Sequence, residues 1–385
     1  MSALESSDYT QTGKTSGDIL CINTGGVGDL HGLRMRRLAA YLNTPVTFYD
    51  LDRNARKSAF RDLSALLSAH PWKLIYQEST GIAGGMNLIL SHKKKGQRFV
   101  FSSGDPIEGF FRTTKGPKMA KIFGLYEREL LKACDGFIGW TPYLTGRALE
   151  LGAKRAVTVE GAVDLNLFQS LEKPERDAIK KDLGIPAENL VCGVVGSLKW
   201  VDRQNYCYGL ELVEAARHIQ RDDVTFLIVG DGDGRARLEA RVPESMRSRV
   251  LFTGRVPEKE VARHLNAMDV GFITQTLDCL GSYRLTTKLP EYLASGLPVA
   301  MSPIPGYFDY VGKAGWPLPP LHPASPQFHK KLAEWIDNLG WDDVESRRKH
   351  GADAALRFDY DVVGARFANF ISHILNEDTI ERKRK

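Results

Sequence analysis

Short uninterrupted apolar runs recur along the chain, each closed by a polar or glycine-containing turn and followed by a stretch with helical spacing. Ile19-Leu20-Cys21-Ile22 stops at Gly25, Gly26 and Gly28, after which Leu33, Arg36, Leu38, Ala39 and Leu42 recur one helical turn apart. That order predicts strand, glycine loop, helix. Runs at 45–49, 74–76, 99–101 and 136–138 follow, each separated from the next by room for a helix. Strands that alternate with helices predict a parallel sheet covered on both faces.

The pattern then restarts. The charged stretch 172–177 suits a linker and a first helix, and new apolar runs fall at 190–195, 225–229, 250–252, 270–273 and 298–301. The predicted fold class is therefore α/β, with two doubly wound, Rossmann-like domains and a ligand site in a cleft between them, outside the carboxyl ends of the strands. Residues 1–16 are polar and aperiodic and read as a mobile lead-in; 17–168 form the first domain and 169–357 the second.

Composition narrows this picture. A length of 385 residues suits two domains, and 43% hydrophobic with 26% charged residues excludes a disordered or fibrous chain. No apolar run approaches the roughly 20 residues of a spanning helix, and the opening residues lack the apolar core of a secretory signal. Cys21, Cys134, Cys192, Cys207 and Cys279 are scattered, so reduced thiols and a cytoplasmic location are expected. A net charge of +5 is too small to argue for nucleic acid.

Candidate chemistry gathers at predicted strand ends. Gly25 and Gly26 open a helix where amides can meet an anion, with Asp29 and His31 just beyond; a tight structural turn is the equal alternative. Gly196 and Ser197 end another strand and precede Lys199 and Arg203, two cations that suit a diphosphate leaving group or, equally, solvent. The loop 230–234 around Gly230 is a weaker signal of the same kind. The segment 283–299 says most: Thr287 reads as the N-cap of a short helix closed by Gly296, its start at Thr286, Thr287 and Lys288 facing a diphosphate, and Glu291 one turn in, placed for a ribose diol. No cluster of metal-ligating acids is evident, and no cofactor or metal is expected.

These elements resemble the GT-B glycosyltransferases, in particular the retaining group called glycosyltransferase family four, over approximately residues 18–375. The carriers are Gly25-Gly26, the segment Glu127-Arg128 through Cys134-Asp135-Gly136-Phe137-Ile138 to Thr141, the junction 159–168, Val229-Gly230-Asp231-Gly232, the strand Val250 to Gly254, and Glu291 to Val299. The chain departs from the family where Tyr283 stands eight positions before Glu291 in place of an acid, and where Ser197 replaces an arginine. The resemblance implies transfer of a sugar from a nucleotide-diphosphate sugar to an acceptor hydroxyl, on a glycan, a lipid-linked molecule or a small molecule, with retention of configuration, with Lys199, Arg203 and Glu291 at the donor and Asp105 near the anomeric carbon. Asp105 could instead cap the helix beginning near Pro106. The resemblance also implies that 358–378 form a helix returning to the first domain, followed by a basic tail, 379–385.

Thirteen Lys or Arg against six acids in 91–155, with Phe110, Phe111, Met119, Ile122 and Phe123 among them, suit contact with anionic lipid at an inner membrane face. A solvated helix packed on its own sheet is the alternative. Two other functions compete: a nucleotide-sugar 2-epimerase on the same fold, and a degenerate, non-catalytic scaffold subunit.

Overall fold

The computed structural model describes residues 17–52 and 56–382. The expected lead-in over 1–16 lies outside the described residues, as does the end of the basic tail beyond Arg382. The chain divides into two units, one of Met1–Glu160 with Asp361–Lys385 and the other of Gly161–Tyr360.

The first unit alternates β1 (Ile19–Asn23), α1 (Leu30–Ala39), β2 (Val46–Asp50), α2 (Arg56–Ala69), β3 (Leu74–Glu78), α3 (Ile82–Lys95) and β4 (Phe99–Ser103). It continues with α4 (Ile107–Lys115), α5 (Pro117–Ala133), β5 (Gly136–Gly139), α6 (Pro142–Glu150) and β6 (Ala156–Thr158). All pairings are parallel, in the order β2-β1-β3-β4-β5-β6. Every residue of β1, β3 and β4 is buried, which is why these strands read as continuous apolar runs and not as alternating ones. The edge strand β6, three half-buried residues, carried no such run.

The second unit runs α7 (Lys173–Asp182), β7 (Leu190–Val195), α8 (Leu210–Ala215), β8 (Val224–Val229), α9 (Arg235–Glu239), β9 (Val250–Gly254), α10 (Glu258–Ala267) and β10 (Val270–Ile273). Then follow α11 (Lys288–Ala294), β11 (Val299–Met301), α12 (Pro305–Tyr310), β12 (Gly315–Pro317), α13 (Pro326–Asp337), α14 (Trp341–Arg348) and α15 (Gly351–Ala355). Its strands are also parallel, in the order β12-β11-β10-β7-β8-β9. The chain winds outward from β7 to β9, returns, and winds the other way from β10. Strand order therefore reverses between β7 and β10, the position where doubly wound sheets hold ligands.

The two central strands are braced at their amino ends. Asp269, just before β10, takes the Lys180 ammonium at 2.8 Å and the Val191 amide at 2.8 Å, and Arg348 lies 3.6 Å away. All three side chains are nearly inaccessible, and burial lowers the Arg348 guanidinium to about 10.

The boundary between units falls at Glu160–Gly161 rather than after Phe168. The Val163 amide donates to Phe358 O at 2.9 Å and Phe168 packs in the second core, so the junction belongs to the second unit. The last helix, α16 (Tyr360–Arg382), belongs from Asp361 onward to the first. Phe367 meets Tyr76 at 5.0 Å between ring centres, and a side chain at Gly136 would lie 2.6 Å from Ile374, so β5 begins with glycine where α16 crosses it.

Candidate active site

At the carboxyl ends of β7 and β10 lies a cavity of 210 Å³, walled by Ser197 and Lys199 after β7, Tyr206 and Tyr208 before α8, Thr274 and Gln275 after β10, and Arg284. A larger groove, of 990 Å³, opens at the amino end of the first sheet between Asp18, Trp72, Lys73 and Arg98. That is the edge where open α/β sheets do not bind ligands.

The loop after β7 is held by close backbone approaches. Gly196 has φ +154°, and a side chain there would meet Lys288 at 2.7 Å. Gly230 has φ +139° and its Cβ would lie 1.9 Å from the Gly196 carbonyl, while Gly232 and Gly234 leave room for Leu198. Leu198 donates to Asp231 O at 3.0 Å and Gly234 donates back to Leu198 O at 2.9 Å. The glycines of 230–234 are thus accounted for by the loop that carries Ser197 and Lys199.

Lys288 opens α11. Its ammonium is buried over the Tyr208 ring, 3.0 Å from the centroid, and has no hydrogen-bond partner among the described residues. The Thr286 hydroxyl, two residues earlier, is likewise buried without a partner among the described residues. Burial lowers the Lys288 pKa, opposed by Tyr208, Glu211 and Glu291; the lysine charge in turn holds the Tyr208 phenol below its ordinary value. Beneath them Glu211 is wholly inaccessible, accepting from the Thr274 hydroxyl at 2.9 Å and the Tyr206 hydroxyl at 3.0 Å. Burial raises the Glu211 pKa. Tyr292, a turn along α11, receives the Val195 amide on its hydroxyl at 2.8 Å and so ties the helix to the end of β7. A network of this kind can hold a dianion: cations and hydroxyls converge, and the nearest carboxylate is tied down by two hydroxyl donors.

Residues 189–338 match the model of the glycosyl transferases group 1. The matched segment lies wholly within the second unit.

Among curated relatives, 2-deoxystreptamine glucosyltransferase of Streptomyces kanamyceticus is 34% identical over 192 residues, 49% of this chain and 47% of that protein. The putative teichuronic acid biosynthesis glycosyltransferase TuaH of Bacillus subtilis is 25% identical over 193 residues, 48% of this chain and 44% of its own. The chain thus spans less than half the length of these relatives. Among solved structures, HepE of Anabaena in complex with UDP-glucose superposes with TM-score 0.71 at 16% identity, over 93% of this chain and 100% of that one. Sucrose-phosphate synthase of Thermosynechococcus elongatus gives 0.72 at 16%, over 93% and 99%. At such identities the likeness is one of fold, and it agrees with the two parallel sheets.

Within the matched segment, the structure brings Gly196, Ser197, Lys199, Thr286 and Lys288 to the end of β7 and the start of α11. Glu291 is half-buried, one turn beyond Lys288 and close enough to act on its charge. Arg203 sits exposed on the turn that follows Val201 and is not a wall of the cavity. Thr287 occupies the N-cap position of α11 without a side-chain cap bond, because its backbone is already helical (φ −60°, ψ −19°).

In the first unit, Gly25 and Gly26 form a closed turn. The Gly25 amide donates to Asn23 Oδ1 at 2.8 Å, and a side chain at Gly25 would overlap the Asp29 carboxylate, which caps α1 through the Gly32 amide at 2.8 Å. Asp105 does not cap α4. The Ile107 and Glu108 amides instead donate to the Glu127 carboxylate, each at 3.1 Å, and Arg147 holds that carboxylate at 2.8 Å. His31 lies against Trp140 at 5.8 Å.

Tyr208, Glu211, Thr274, Gln275 and Arg284 were not singled out from sequence. Only the alternation Tyr206-Cys207-Tyr208 hints at them. A second buried network went unforeseen in the first unit: Glu78 accepts from Tyr76 and from Ser102 (3.0 Å), faces Arg34 at 3.6 Å, and Arg34 stacks on Trp140 at 4.6 Å.

Proposed function

We propose that the protein is a glycosyltransferase whose donor, a nucleotide-diphosphate sugar, lies with its diphosphate at the β7–β10 switch point of the second unit. The observation that carries this reading is the Lys288 ammonium at the end of β7, sequestered without a hydrogen-bond partner among the described residues, with the Thr286 hydroxyl two residues earlier likewise unpartnered. A desolvated cation without an anion is costly, and a phosphate oxygen supplies the missing partner. Lys199 and Arg284 add charge from the cavity wall, and Glu291 stands where a ribose diol can donate to it. HepE, bound to UDP-glucose, supports a UDP-sugar donor, the glucosyltransferase relative supports transfer of glucose, and TuaH, of teichuronic acid biosynthesis, supports a glycan acceptor.

In this scheme the bond between the anomeric carbon and the phosphate oxygen breaks while the acceptor oxygen bonds to the same face of that carbon. The acceptor proton passes to the departing phosphate oxygen, so configuration is retained. The protein's part is electrostatic: Lys288, Lys199 and Arg284 stabilise charge that grows on the leaving diphosphate. A role for Asp105 in orienting the acceptor hydroxyl rests on the family resemblance alone.

Lys288→Met keeps the length and apolar stem while removing the charge. Hydrolysis of UDP-glucose, measured with a thermal melt to verify folding, is expected to lose about 100- to 1,000-fold in kcat/KM, the range for removing one preorganised stabiliser. Wild-type rates in a folded variant would refute the assignment.

A further inference from the structure

Helices α3, α4 and α5 of the first unit carry exposed apolar side chains, Phe110 on α4 among them. On α3 these are Met86 and Leu90, one turn apart; on α5 they are Met119, Ile122 (58% exposed) and Leu125 (67% exposed). The helices are neighbours: a side chain at Gly85 would meet Tyr126 and Leu130 of α5, and Lys93 reaches Glu129 at 3.8 Å. Packing does not require the outward residues. The aromatic contact between α4 and α5 is made by the half-buried Phe111 and Phe123, stacked 3.6 Å apart at 12°, and not by Ile122 or Leu125.

Exposed cations border the apolar row. Lys118 and Lys121 share the outer side of α5 with Ile122 and Leu125, Lys115 ends α4, and Lys93 to Lys95 end α3. Among the described residues Lys115, Lys118 and Lys121 form no ion pair, and the acids nearby are engaged, Glu108 with Arg112 and Arg147 and Glu127 with Arg147. No helix among the described residues is long and apolar enough to cross a membrane.

We propose that this face docks the protein on the surface of an anionic lipid bilayer, Ile122 and Leu125 entering the headgroup boundary while Lys115, Lys118 and Lys121 meet lipid phosphates. Apolar side chains ringed by lysines match that boundary on both counts. A protein partner of like shape would need acids facing the lysines and would not respond to lipid charge. The inference stands on the first unit alone and is independent of the donor site.

The test is flotation of the full chain with vesicles of phosphatidylcholine alone or with 30% phosphatidylglycerol, wild type against Ile122→Glu/Leu125→Glu and Lys118→Glu/Lys121→Glu, each verified by circular dichroism. The expected result is binding to the anionic vesicles at 0.1 M salt, at least tenfold weaker in either variant and weakened in 0.5 M salt, where screening is shorter-ranged. Binding that is absent at low salt, indifferent to phosphatidylglycerol, or unchanged in both folded variants would overturn the proposal. So would wild-type dimers, seen by light scattering, that the Glu variants convert to monomers.

Discussion

The Lys288 ammonium is held by the face of one tyrosine and by the field of two carboxylates, none of which offers it a hydrogen bond. A desolvated cation over an aromatic ring gains about 2 kcal/mol, which is less than the cost of removing an ammonium from water, so burial prevails and its pKa falls. Glu211 is the counterpart: two hydroxyl donors and the lysine charge favour its ionised form, yet desolvation dominates and raises its pKa. An acid whose folded pKa is raised binds more protons in the native state than in the unfolded one. Stability is then greatest below the ordinary glutamate range, near 4.3, and declines as pH rises through the folded value. Glu211→Gln removes that titration. The stability difference between variant and wild type, from urea melts, is expected to grow in the variant's favour between pH 4.5 and 7; a pH-independent difference would contradict the burial argument. Sequence could not show this, because an acid in Leu-Glu-Leu-Val reads as the solvated side of an amphipathic helix. Here Tyr206 and Thr274, contributed from opposite sides of the switch point, close over it.

At the scale of elements, β7 and β10 carry the site at one end and are locked at the other by Asp269, which joins Lys180 on α7 to the Val191 amide of β7. Removing one member of a buried pair strands the other charge. Asp269→Ala is therefore expected to lower unfolding free energy by about 3–5 kcal/mol, read as a shift of the urea midpoint; an unchanged midpoint would contradict a bracing role. The helix α11 illustrates what local sequence does and does not convey. Its closure at Gly296, φ +63°, and its place before a strand were legible from Gly-Leu-Pro-Val. That its first residue packs its ammonium over Tyr208, eighty positions earlier, was not, because nothing in a local pattern encodes which loops meet. The same limit explains Asp105. Asp before Pro is a sound capping signal, but Glu127 of α5 reaches α4 from another helix and satisfies its first amides.

For the whole molecule, ten of the strands announced themselves as apolar runs, eight of them central strands flanked on both sides and two, β2 and β9, five-residue edge strands. The two that did not, β6 and β12, are three-residue edge strands whose pairing is decided by a single neighbour. The reversal of strand order between β7 and β10 follows from long-range pairing, and it is what converts scattered glycines and cations into one site. A diphosphate at that site is most directly tested by a crystal structure of the protein with UDP, in which a phosphate oxygen is expected within about 3 Å of Lys288 Nζ and the ribose hydroxyls on Glu291. UDP bound elsewhere, or bound with Lys288 still turned onto Tyr208 and no phosphate beside it, would contradict it.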